Sequence, residues 1–192
     1  MSPAKGRPGH HESAHLHVTG GARYVADDPG PVGTLWALPV PSPVAAGRIV
    51  NRDATAARAV QGVHAVLFAE DIPGDNLWGP IVHSEPLLAD GRVHCIGQAV
   101  ALFIAETEAA ARAGVAAVVV EIASEEPILD IEAAIAAGRF HTAPHVIERG
   151  DLHGAFAQAN LVIEGELRSP AQDHFYLETQ AALALPGEDG GW

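Results

Sequence analysis

The chain has 192 residues, a length that fits one domain or two small ones, and 48% of them are hydrophobic, enough for a packed core. Lys and Arg number 11 against 24 Asp and Glu, a net charge of −13, which removes the electrostatic reason to bind nucleic acid or an anionic membrane surface. A single cysteine, Cys95, excludes an internal disulfide and any cysteine-ligated zinc or iron–sulfur site within this chain, and points to a reducing compartment.

From Met1 to Gly21 the sequence is polar, with His10, His11, His15 and His17. No apolar region follows Lys5 and Arg7, so a secretory signal is not expected, and the expected location is the cytoplasm. The longest clean apolar run, Val115 to Val120, is too short to cross a bilayer. His11-Glu12-Ser13-Ala14-His15 spells H-E-x-x-H, which binds zinc only on a helix. Here Pro8 and Gly9 precede it, Gly20 and Gly21 follow it, and no apolar 3.6-residue period runs through it, so a flexible polar terminus over residues 1–13 is expected instead.

Thr34–Val40 reads as a strand with Pro39 marking an edge or an end, and Pro39, Pro41 and Pro43 form an irregular stretch. Asp53–Val60 reads as a short helix capped by Asp53, with Gly62 just past its end. Val63–Ala69 is an apolar strand, and Ile72–Pro80 a loop. Cys95 sits at the mouth of the next strand and reads as a small buried hydrophobe rather than a reactive thiolate. Ala99–Ala105 is apolar on both faces, as in a buried strand. Thr107 caps an Ala-rich helix through about Ala116, and Val118–Ala123 follows as a β-branched strand. Strand, helix and strand in that order make an α/β unit, the small Ala side chains letting the helix lie close to the sheet.

Asp130 caps a helix, Ile131–Ala137, that Gly138 ends. The pattern turns polar and irregular around Arg139–Arg149, a candidate boundary, and Asp151 starts another helix to about Ala159. Leu161–Arg168 alternates from Ile163 onward as a half-exposed strand, and Phe175–Leu185 is strand-like with an open edge. Gly187, Gly190 and Gly191 signal a hairpin turn just before Trp192. About forty residues cannot bury a core alone, so the chain is expected to be the amino-terminal piece of something longer.

No G-x-S-x-G elbow, no phosphate loop and no dinucleotide fingerprint occurs, and Glu125 and Glu126 are adjacent, so they point apart on any regular element. The densest polar chemistry is Gln172-Asp173-His174-Phe175-Tyr176-Leu177-Glu178. It is either a polar cluster fixing a strand start or part of a site.

The string His174-Phe175-Tyr176-Leu177-Glu178-Thr179-Gln180, continuing to Pro186, resembles a segment of the molybdenum-binding subunit of the xanthine dehydrogenase/aldehyde oxidase family. His11 to Pro29 is similar to that subunit's opening, and Gly62 to Asn76 and Val93 to Val100 are similar to its a/b hammerhead domain. Arg149-Gly150-Asp151 before a short helix also fits. The resemblance implies an α/β (α+β) hammerhead domain over residues 14–128, a linker with a short helix over 129–149, and the start of a molybdopterin-binding domain over 150–192. It implies an enzyme in which a molybdenum centre hydroxylates a purine, with electrons passing through 2Fe-2S clusters and FAD on a separate small subunit to NAD. The family's catalytic residues match nothing before Trp192, so none is assigned here. Gln172, His174 and Glu178 are expected at most to lie around the cofactor, and the chain alone is expected to be inactive. An aldehyde or other purine hydroxylase of the same family, or a non-catalytic interaction module, is the alternative.

Overall fold

The computed structural model describes residues 11–191; Lys5, Arg7, His10, the first ten residues of the expected flexible terminus, and Trp192 lie outside them. In chain order the helices are α1 (Ala14–Thr19), α2 (Thr55–Arg58), α3 (Glu108–Ala117), α4 (Ile131–Ala136) and α5 (Leu152–Gln158). The strands are β1 (Trp36–Pro41), β2 (Gly47–Asp53), β3 (Val63–Leu67), β4 (Leu77–Trp78), β5 (Glu85–Pro86), β6 (Arg92–Val93), β7 (Ala99–Ala105) and β8 (Val119–Ser124). Two compact units emerge: Gly33–Gln158, and a second joining the segment up to Val32 with the segment from Ala159 on.

The Gly33–Gln158 unit mixes helices with small, wholly antiparallel sheets of order β1-β7-β3, β6-β2-β8 and β4-β5. β7 is central because its alternate residues are all apolar and both faces can be covered: Val100, Ala101, Phe103 and Ala105 are fully buried. Leu38 of β1 and Val66 of β3 flank Phe103 across the sheet. β1 lies at the edge, where its prolines need no ladder donor, and it continues through Pro41 rather than dissolving at Pro39; its register shifts between Val40 and Pro41.

Thr107 caps α3, its hydroxyl accepting the Ala110 N–H at 3.1 Å. The helix buries Ala111 and Gly114 against β7, so small side chains do bring it close. Gly62 takes φ +83° in the turn into β3, and its carbonyl accepts the Glu106 N–H at 2.8 Å. Asp53 caps α2 from one residue further out than expected, accepting the Thr55 N–H at 2.8 Å. Asp130 and Asp151 accept the N–H groups of Ala133 and Gly154, as N-caps should.

Several expectations are corrected. β7, α3 and β8 do not form one α/β unit, since β7 and β8 belong to different sheets. β2, which carries no clear apolar alternation, is the centre strand between β6 and β8. Its Arg52 pairs with Glu70 at 3.0 Å and lies over the Phe68 ring at 4.9 Å, so a charged residue fits because it finds both partners. Within the expected Ile72–Pro80 loop, Leu77–Trp78 pairs with Glu85–Pro86. Asn76 extends that hairpin by mimicking backbone, its amide giving and taking bonds with Leu88 at 2.8 and 3.0 Å. Cys95 is exposed, not buried, because it lies in the turn between β6 and β7 that Gly97 closes at φ +82°.

In the other unit, α1 forms just past residues 1–13, in a stretch whose sequence shows no helical period; Gly20 ends it in the left-handed conformation at φ 74°. Neither Leu161–Arg168 nor Phe175–Leu185 is a strand. An alternating pattern becomes a strand only when a neighbour takes its hydrogen bonds. Among the described residues these stretches pair with none, and Ile163 and Leu167 stay 85% and 94% exposed. The turn at Gly187–Gly191 does form, Gly190 N–H donating to Gly187 O at 3.1 Å.

Candidate functional site

The polar segment Gln172–Glu178 is positioned by its own local bonds and by one long-range contact. Asp173 accepts the Phe175 N–H at 3.0 Å, an Asx turn that accompanies a left-handed φ of 53° at Phe175. The His174 and Tyr176 rings stack with centroids 5.4 Å apart and planes 1° from parallel. Gln172 and His174 are exposed, and Glu178 is half-buried.

Glu178 is the member that reaches across the chain. Its Oε1 accepts the Ala26 N–H at 2.9 Å and its Oε2 the Val25 N–H at 3.2 Å. Those amides open a single turn of 3-10 helix, Val25–Asp27, and its first donors have no partner within the turn. Asp27 accepts the preceding amide, Tyr24 N–H, at 2.9 Å. Arg23 donates to the Asp27 carbonyl at 3.2 Å, and the Tyr24 hydroxyl lies 3.3 Å from His17 Nδ1. Beside the turn runs an open groove of about 360 Å³ lined by Arg23, Tyr24, Val25, Asp28 and Leu183. Sequence reading did not single out this turn; its only signal was the Tyr24-to-Asp27 spacing of a cap.

The H-E-x-x-H letters do not fall together on one helix. His11 precedes the first turn of α1 and His15 lies within it, so the two do not share one helical face. Ser13 Oγ instead lies 3.0 Å from His11 Nδ1 and 3.5 Å from His17 Nε2. A second open groove of about 420 Å³ follows His11, Glu12, Ala14, His15 and Val18. Among the described residues no group of three or more His, Cys, Asp or Glu could hold a metal ion. No helix among them is long and apolar enough to cross a membrane.

In the Gly33–Gln158 unit two carboxylates are held below their ordinary range. Hydrogen bonds from the Arg92 guanidinium lower Glu125, and bonds from Thr55 lower Asp53. Both support surface turns and sheet ends, not a cleft.

The chain thus carries small antiparallel sheets, one with an Ala-rich helix on its central strand, ahead of a polar segment rich in hydrogen-bonding groups. The sequence pattern described as "Aldehyde oxidase and xanthine dehydrogenase, a/b hammerhead domain" matches residues 19–126, and that of the "Molybdopterin cofactor-binding domain" matches residues 138–192. The chain belongs to the aldehyde oxidase and xanthine dehydrogenase family.

A xanthine dehydrogenase of Oryza sativa subsp. japonica is 37% identical over 190 residues, 97% of this chain and 14% of that protein. Aldehyde oxidase 4 of Cavia porcellus is 38% identical over 182 residues, 94% of this chain and 13% of that protein. Among solved structures, the aldehyde oxidoreductase of Desulfovibrio gigas superposes with a TM-score of 0.62 at 28% identity, over 78% of this chain and 19% of that one. The chain thus spans about 14% of the length of the curated xanthine dehydrogenases it matches. The pterin of such a cofactor is held by hydrogen-bonding groups, and the exposed Gln172 and His174 in the matched stretch are groups of that kind.

Proposed function

We propose that this chain is the hammerhead-bearing, amino-terminal part of the molybdenum subunit of a xanthine dehydrogenase, an enzyme that hydroxylates hypoxanthine and xanthine to urate and passes the electrons to NAD. Residues 14–128 form the hammerhead domain, 129–149 the connection, and 150–192 the start of the molybdopterin-binding domain. The observation that carries this reading is similarity to a xanthine dehydrogenase across 97% of the chain at 37% identity, joined to a hammerhead match over residues 19–126.

The molybdopterin cofactor, held only in part by residues of this chain, would supply the oxygen-transfer chemistry. The residues present here provide scaffold. The hammerhead offers a preformed core around Phe103, while Gln172, His174 and Glu178 lie around the cofactor without donating to the metal. The 2Fe-2S clusters and FAD belong to a partner small subunit in a cytoplasmic hetero-oligomer, in agreement with the single cysteine of this chain. A second reading, an aldehyde or other purine hydroxylase of the same family, is favoured by the 38% identity to aldehyde oxidase 4 of Cavia porcellus.

The test is metal analysis and steady-state turnover on two preparations: the 192-residue chain, and the complete gene product that carries it together with its small subunit. The complete enzyme should contain molybdenum and reduce NAD with xanthine in preference to an aldehyde. The chain alone should hold no molybdenum and turn over neither substrate. Turnover by the chain alone refutes the assignment, and preference for an aldehyde selects the second reading.

A further inference from the structure

The carboxylate of Glu178 is committed to two successive backbone amides some 150 residues away in sequence. We infer that Glu178 is a positioning residue: it clasps the Tyr24–Asp28 turn to the Gln172–Glu178 segment and thereby sets where that segment lies. The inference deepens the functional reading above, since it concerns how this chain orders a segment proposed to lie around the cofactor.

Three observations converge. First, the contact is two-pronged, with one oxygen to each amide at 2.9 and 3.2 Å, so it fixes direction as well as distance. Second, among the described residues of the turn no other acid takes those two bonds. Its single 3-10 turn leaves the first amides unpaired, Asp27 is occupied by the Tyr24 N–H, and Asp28 accepts the Gly30 N–H at 3.0 Å. Third, the clasped segment has little else to hold it. Among the described residues it joins no sheet, Phe175 is 90% exposed, and its other contacts, Asp173 to Phe175 and the His174–Tyr176 stack, are local to the segment. An exposed, unpaired segment with one charge-assisted anchor owes its placement to that anchor, because little else opposes the conformational entropy of release. Glu178 therefore holds backbone, and no proton or electron passes through it.

The experiment is hydrogen exchange on the complete enzyme and on the 192-residue chain, comparing the parent with Glu178→Ala and Glu178→Gln. In Glu178→Ala the amides of Val25 and Ala26 should both exchange about tenfold faster or more, the change expected when charge-assisted bonds are lost. In Glu178→Gln, which keeps one acceptor oxygen, one of the two should stay protected. The amides of Val100–Phe103 report the core and should not change in either variant. Unchanged protection of Val25 and Ala26 in Glu178→Ala overturns the inference. So does loss of molybdenum from Glu178→Ala with both amides still protected, because Glu178 would then act at the cofactor. A complete enzyme that lacks molybdenum yet shows the expected exchange pattern sinks the functional reading and leaves the clasp standing.

Discussion

Gly114 offers a sharp test of how α3 meets the sheet. In an exposed helix interior, replacing Gly by Ala gains about 1 kcal/mol, because the backbone loses less entropy on folding. At Gly114 a Cβ would fall well under 3.0 Å from three ring carbons of Phe103, Cζ, Cε1 and Cε2. The ring cannot swing aside, since Phe103 is 0% exposed and β1 and β3 flank it. Overpacking of this kind costs about 1–3 kcal/mol, and a fully enclosed neighbour places the cost at the upper end. The net expectation is a loss of about 2 kcal/mol. Followed by urea unfolding, Gly114→Ala should lower the midpoint by roughly 1 M with little change in slope. Phe103→Leu in the same background withdraws the overlapping atoms, so the double variant should lose less than the sum of the singles. A Gly114→Ala protein as stable as the parent, or more so, would refute the packing argument.

Two further outcomes follow from local structure. Thr107→Ala should cost about 1 kcal/mol by leaving the Ala110 N–H without its acceptor, while Thr107→Ser should be near neutral; equal midpoints for the Ala and Ser variants in urea would count against the cap. The Arg92–Glu125 pair predicts a pH signature. Glu125 is held below its ordinary range chiefly by hydrogen bonds from Arg92, so its contribution is full above the unfolded carboxyl value near pH ~4 and is lost as the pH falls through the lower folded value. Thermal unfolding of the parent and Arg92→Ala should therefore differ slightly at neutral pH and converge in acid. A gap that stays constant down to the acid limit would remove Glu125 as its source.

Features governed by near neighbours were visible in the residues alone. Ala99–Ala105 is a strand within the bounds its two apolar faces imply, and Thr107, Asp130 and Asp151 stand at helix starts, since a cap needs only an oxygen a few residues from a free amide. The ordered motifs that resemble the family were equally legible, and residues 19–126 do match its hammerhead pattern. What stayed hidden depends on partners far along the chain. Gly47–Asp53 carries Arg48, Asn51, Arg52 and Asp53, a pattern that reads as surface, yet it is a centre strand because β6 and β8 arrive on both sides. Leu161–Arg168 has the alternation of a strand and is not one, because no neighbour takes its bonds. The same reason hid Glu178: its type and position suggested a polar site, but only folding brings the Val25 and Ala26 amides within 3.2 Å of its oxygens. Caps and apolar runs are decided within a few residues, whereas strand pairing and long-range anchors are decided by which distant amides and carbonyls come to face one another.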